Sequence, residues 1–442
     1  MLTHSVLQFA PQPATDKSES CRFYSRCKLK IHLEKPMRQY LEFIVRHWAM
    51  LGFGLITVFW GNFGQSFFVS WYGSAIQETL NLSATAYGSS YSLATAAAGL
   101  CIIWTGAWID RWPLRRFTTL VALGLLAATA VLSISNNIIL LTIGFFLLRL
   151  FGQGLLPHTG YTTMARLFAI NRGKASSIAI CGVPLGEITL PLIAVALISS
   201  VGWQHSWRLI GLTIPFIFLP IVWWLLKREH PPEYLPTENS VTDETEGNRQ
   251  QMLRDYRFWL ALPAILAAPF IVTGFFIHQG FILEQKGWSP MWFASCFIAY
   301  GFMHWFSSML AGILIDKWSA IRLLPYYLVP MALGLFLTAY LEGQWLAPLL
   351  MAMLGLTIGS SSTISSALWA EAYGTKHLGA IRSLITALVI ISTSLSPALF
   401  GLLIDSGITG ATLFELIGLY AFSAILMVCF SYRSKITEKK QP

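Results

Sequence analysis

Long apolar runs without charge dominate this chain, in place of the narrow apolar stripes of water-soluble helices. They fall near 48–72, 86–108, 117–135, 138–158, 174–200 and 207–227, and again near 258–283, 290–314, 323–341, 345–367, 380–403 and 411–431. Each is close to or above the roughly 20 residues that carry a helix across the hydrocarbon layer. The breaks are short and polar: Gln77, Glu78 and Asn81, then Asn136-Asn137, the basic stretch Arg166 to Lys174, and Gly202 to Arg208. A longer stretch rich in proline and acid separates six runs from six. The pattern predicts an all-α polytopic membrane protein with twelve transmembrane helices in two six-helix bundles, 48–227 and 258–431. They are joined by a linker, 228–257, and flanked by a basic arm, 1–47, and a tail, 432–442.

Composition narrows the class further. Of the 442 residues, 55% are hydrophobic and 12% charged, about half the charge of a soluble domain, which excludes a water-soluble globule. Lysine and arginine are retained on the cytoplasmic side of membrane proteins. With both termini inside, 27 of the 30 fall in the N-terminal arm, the inner loops, the linker and the tail, leaving Arg149, Arg208 and Lys286. The net charge of +9 therefore reflects topology and attraction to anionic lipid heads, and calls for no nucleic-acid partner. The expected setting is a plasma or bacterial inner membrane. The first 20 residues lack the apolar core of a cleavable signal, so the first span is expected to direct insertion. No phosphate-cradling glycine loop occurs, and the six cysteines form no C-x-x-C pair. No cofactor, metal or enzymatic constellation is expected.

A constant offset of 206 residues aligns the two halves. Gly106, Ile109, Asp110, Trp112 and Arg116 match Gly312, Ile315, Asp316, Trp318 and Arg322, and Gly173, Ser177 and Pro191 match Gly379, Ser383 and Pro397. An offset held over some 85 residues implies two homologous halves, the parallel repeat of a rocking transporter.

The run Gly106-Ala-Trp-Ile-Asp110-Arg111-Trp-Pro-Leu-Arg115-Arg116 resembles the loop signature between helices 2 and 3 of the major facilitator superfamily. Pro113 stands where that family usually has glycine. The second copy is Gly312-Ile-Leu-Ile-Asp316-Lys317-Trp318, and the resemblance spans about 48–431. Arg172-Gly173-Lys174-Ala175 and the Gly/Pro-rich helix that follows resemble the monocarboxylate-porter and oxalate/formate-antiporter branch. The resemblance implies alternating access, with helices 1, 4, 7 and 10 lining a central cavity. It also implies a latch in which Asp110 meets the start of helix 11 near Gly379 and Arg382, while Asp316 meets helix 5 near Gly173 and Lys174. A carboxylate there accepts from exposed amides at the positive end of a helix. Arg111, Arg116, Lys317 and Arg322 complete this gating set.

Two ionised side chains fall near mid-membrane, Arg149 in helix 4 and Glu187 in helix 5. At that depth a charge costs at least about 2.5–3.5 kcal/mol on insertion scales, so each needs a cavity or a partner. Sequential helices make them candidate partners for each other. Either Arg149 offers its planar fork to a substrate carboxylate, with Glu187 as counter-ion or protonatable group, or the two form a structural pair. Gln153, Asn62, Gln65, His278 and Gln279 are the neutral candidates for the cavity. The serines and threonine at 360–363, Tyr161 and Trp369 are weaker ones, and His304 reads as a packing residue that could titrate.

The expected function is secondary active transport of a small organic solute, with a carboxylate-type anion favoured and a coupling proton or counter-anion as partner. A monomer is expected. Proton-linked efflux of a larger amphipathic molecule and a transport-dead sensor are the alternatives.

Overall fold

The computed structural model describes residues 39–168, 171–228, 252–374 and 378–432. The expectations for 1–38, most of the linker, and the tail beyond Tyr432 lie outside the described residues. What is described is helical, and twelve spans can be followed. We number them α1 (Trp48–Gly61, continued by shorter turns to Leu80), α2 (Ala84–Thr105, then Gly106–Asp110), α3 (Leu114–Ser133), α4 (Ile138–Leu147 to Leu156–Leu167), α5 (172–201) and α6 (203–228). The second half holds α7 (Tyr256–Ile277), α8 (Pro290–Trp318), α9 (Ala320–Leu323 and Val329–Tyr340), α10 (Leu346–Tyr373), α11 (Leu378–Asp405) and α12 (Gly410–Ser431).

The chain turns where side-chain caps or left-handed backbone allow it. Ser83, Asn137, Ser289 and Thr409 each accept a backbone N–H at the start of a span. Gly202, at φ 77°, separates α5 from α6, a conformation that a side chain would strain. Ahead of α1, Gln39–Arg46 forms a short helix bent by 80° from Trp48–Gly64. Its Phe43 ring packs on Phe168, centroids 5.3 Å apart, so part of the expected basic arm is helical.

These turns place the described start and end of the chain on one face, rich in arginine and lysine, hereafter the basic face. The far face carries the turns at Asn81, Asn136, Gly202, Gly287, Gly343 and Gly407. Across the seam between the halves, α2 packs on α11 and α5 on α8.

Two irregular segments meet at the centre of the first half. Helix α1 breaks into a tight 3₁₀ turn, Asn62–Gly64, while α4 widens into a π-helical stretch, Leu148–Leu155. Such wide turns recur at functional sites. The backbones touch through Gly64 and Gly152, where a Cβ on Gly152 would come within 2.9 Å of the Gly64 Cα. A Cβ on Gly64 would run into the backbone at Leu148 and Gln153. Gly64→Ala is expected to lower stability by about 1–3 kcal/mol, the usual penalty for overpacking; thermal unfolding in detergent measures it, and an unchanged midpoint would refute this packing argument.

Candidate functional site

Between the halves lies a cavity of about 560 Å³. Gln65 of α1, Thr95 of α2, Arg149, Gln153, His158 and Tyr161 of α4, and Glu187 of α5 line it from the first half. The second half supplies Thr273, Tyr300, His304, Thr386 and Thr393 among others. A neighbouring lobe of about 440 Å³ shares Pro269, Ile358, Thr386 and Val389 with it. This lobe runs past Ser361, Ser362, Ser365 and Ser366 to Trp369 and Arg382, toward the basic face.

Arg149 sits in the π-helical stretch and is only 6% exposed. One guanidinium nitrogen donates to the Gly64 carbonyl at 3.4 Å, and the group lies 5.2 Å from the Tyr91 ring centroid. The contact of α1 with α4 thus fixes where the charge points, and the guanidinium has no carboxylate partner among the described residues.

Glu187, 3% exposed, is not paired with Arg149 as its place in the next helix suggested. Its carboxylate faces His304 across the seam, with Nδ1 at 2.8 and 3.1 Å from the two oxygens. The α5–α8 packing makes this contact possible, because Gly301 lets α8 approach α5 closely: a Cβ there would meet the Pro184 carbonyl at 3.0 Å and Glu187 Cβ at 3.3 Å. The sequence did offer one signal for His304, a lone titratable group at similar depth in the charge-free run 290–314.

The neutral candidates divide. Gln65 and Gln153 line the cavity. Asn62 does not: it is buried, and its amide donates to the Gly182 carbonyl at 2.8 Å, tying α1 to α5. His278 and Gln279 are also buried away from the cavity, toward the far face. The His278 ring meets the Pro397 carbonyl at 2.8 Å, while both polar atoms of the Gln279 amide lack a hydrogen-bond partner among the described residues.

Three of the gating residues on the basic face, Asp110, Arg382 and Lys317, engage partners within their own halves, and the contact expected between Asp316 and the start of α5 does not form among the described residues. Asp110 pairs with Arg166 at the end of α4, rather than with the start of α11. Arg382 donates to the Ser366 carbonyl at 2.8 Å. Lys317 lies over the Trp318 ring, and Arg111, Arg116, Arg322 and Asp316 make no ion pair among the described residues.

Sequence reasoning missed the clamp on the far face. Asp405, at the end of α11, accepts from the amides of Ala84 and Thr85 at the start of α2, at 3.1 and 2.8 Å. Nearby, Ala398 donates to Ser92 at 3.1 Å, and a Cβ on Gly401 would crowd the Ala84 backbone. The halves are thus joined at the far face, while the second lobe runs toward the basic face. A carboxylate bridging exposed helical amides is a charge-assisted contact. Asp405→Ala is expected to raise the share of forms open at the far face about fivefold, for roughly 1 kcal/mol lost at a solvent-accessible site. Thiol labelling of a Ser92→Cys reporter in a background lacking the native cysteines reads this out; unchanged labelling would show the clamp to be incidental.

Comparison with known proteins agrees with this architecture. The Major Facilitator Superfamily pattern matches residues 51–303. An uncharacterized transporter of Buchnera aphidicola (subsp. Schizaphis graminum, strain Sg) is 26% identical over 331 residues, covering 72% of this chain and 75% of that one. Among solved structures, the nucleoside transporter NupG, in a point-mutant form, is similar with a TM-score of 0.66 at 12% identity, over 89% of this chain and 100% of that one. A bacterial homolog of the human lysosomal transporter Spinster, inward-facing and occupied, is similar with a TM-score of 0.62 at 15% identity, over 88% and 95%. The structural likenesses establish the fold, and the match over more than half of the chain establishes the family: this protein belongs to the major facilitator superfamily of membrane transporters.

Proposed function

We propose that the chain is a secondary active transporter that moves a small organic anion of the carboxylate type by alternating access, driven by a proton or by exchange for a counter-anion. The observation that carries this reading is Arg149. A guanidinium removed from water and left without a carboxylate is costly. Here it lines a cavity of solute size, and its planar fork matches a carboxylate with two parallel hydrogen bonds. Gln65, Gln153 and the threonines around it offer the neutral bonds that would orient the rest of the solute. The resemblance of the Arg172–Ala175 stretch to the monocarboxylate branch points the same way.

In this reading the basic face is cytoplasmic, residues 1–47 and 432–442 are an arm and a tail on that side, and 228–257 links the two bundles there. A monomer is sufficient, since one chain contains the whole cavity. Asp110 and Asp316 close the basic face when the far face opens, Asp110 exchanging Arg166 for the start of α11. Asp110→Asn and Asp316→Asn should then fold but favour the form open at the basic face; unchanged accessibility on both faces, with normal transport, would reduce them to loop-shaping residues.

The substrate reading is tested by a thermal-shift screen of small mono- and dicarboxylates against their neutral amides. Stabilisation by the acids alone is expected. Arg149→Lys should weaken it at least tenfold, about 1.4 kcal/mol, because an ammonium cannot reproduce the bidentate contact. Equal binding of the amides, or unaltered affinity in Arg149→Lys, would overturn the assignment.

A further inference from the structure

Among the described residues, the Glu187–His304 contact is the one place where an acid and a base from opposite halves meet inside the cavity wall. Glu187 is held by α5 and His304 by α8, and the two helices are packed closely at Gly301. A structural tie between halves that must rock needs no ionisable groups, and an unpaired carboxylate at this depth is unfavourable. A carboxylate facing an imidazole can, by contrast, hold one extra proton with little strain. With Nδ1–H donating to the carboxylate, a second proton on Nε2 turns the pair from net negative to neutral, and no other atom need move.

The remaining groups on the wall make that change matter. Tyr161 of α4 and Tyr300 of α8 line the same cavity as Glu187, and Arg149 and His158 of α4 complete the ionisable lining. Helices α1, α2, α7, α10 and α11 contribute Gln65, Thr95, Thr273, Ile358, Thr386 and other uncharged side chains. With His158 neutral, the fixed charges of the lining cancel while His304 is neutral: Arg149 is offset by Glu187. Adding the proton leaves one net positive charge.

We propose that Glu187 and His304 form the proton-coupling site, in which a proton taken up by His304 both tightens the α5–α8 seam and leaves the Arg149 charge uncompensated for an anion. Proton and anion then favour each other's binding, and by linkage the effect is reciprocal. This deepens the anion reading and depends on it only for the identity of the second passenger.

The test contains no solute, so its failure would leave the carboxylate screen standing, and the reverse also holds. Spin labels are placed at Ser177→Cys and Ser366→Cys on the basic ends of α5 and α10, in the full chain with its own six cysteines replaced by serine. Their distance distribution is recorded in nanodiscs at about pH 5 and about pH 8, which bracket the ordinary histidine range. The parent is expected to change the ratio of its open and closed forms roughly tenfold, the effect of a one-unit difference in proton affinity between them. Glu187→Gln and His304→Asn should both lose the response. His304→Asn keeps an N–H donor facing Glu187 but cannot take the proton, so it decides the matter even where Glu187→Gln folds poorly. His158→Asn should retain the response. A parent indifferent to pH, a response that survives in His304→Asn, or its loss in His158→Asn overturns the proposal.

Discussion

An ion taken out of water must be given back what water supplied, and this constraint organises the centre of the molecule. The two deeply placed charges meet it in different ways. Glu187 receives an imidazole from the opposite half. Arg149 receives a backbone carbonyl and an aromatic face, which satisfy part of its hydrogen-bonding capacity and stabilise the cation without supplying an opposite charge. Much of the surrounding architecture serves these two placements. The 3₁₀ break in α1 presents the Gly64 carbonyl, the π-helical stretch of α4 aims the guanidinium at it, and Gly301 brings α8 near enough for His304 to reach α5.

The two halves are repeats, yet the polar contacts that matter are not repeated. At the 206-residue offset, Glu187 corresponds to Thr393 and His304 to Ala98, so the α2–α11 seam has no acid–base pair at the matching depth. Asp405 corresponds to Ser199, so the far-face carboxylate clamp has no charged counterpart at the end of α5. Arg149 corresponds to Gly355, whose lack of a side chain lets α10 pack against the α8 backbone at Tyr300 and His304. Each seam therefore carries its own charged fastening among the described residues, α5–α8 at mid-depth and α2–α11 at the far face. The repeated frame thus holds different polar contacts in its two halves.

What was legible in the sequence follows from what is local. Hydropathy located the twelve spans because crossing a bilayer is a demand on consecutive residues, and short polar breaks such as Asn136-Asn137 and Gly202 to Arg208 marked where some of them end. The irregularities were not legible. A π-helical turn and a 3₁₀ break depend on the two backbones meeting at Gly64 and Gly152, far apart in the chain. The same reason explains the partner of Glu187. Adjacency in sequence suggested Arg149, whereas the fold seats α5 against α8, and His304 shares only depth with Glu187 in the sequence. Asp405 was overlooked because a carboxylate at the end of a span reads as a loop residue until the amides it faces are known.

The placement of the fastenings bears on how such a molecule can rock without falling apart. A contact near mid-depth lies close to any axis about which the halves turn, so it can persist through the motion with small changes in length. One at the far face lies at the end of the lever and must break. The far-face donors are backbone amides at a helix start, which water can satisfy once Asp405 leaves, and Asp405 itself sits where solvent can reach it. Breaking there leaves no ion stranded in a low dielectric. Were the two fastenings exchanged, with the buried acid–base pair at the end of the lever, each cycle would separate charges in a setting where removing one partner costs about 3–5 kcal/mol. For halves that turn about mid-depth, the charged pair lies where movement would be least, and the replaceable one where it would be greatest.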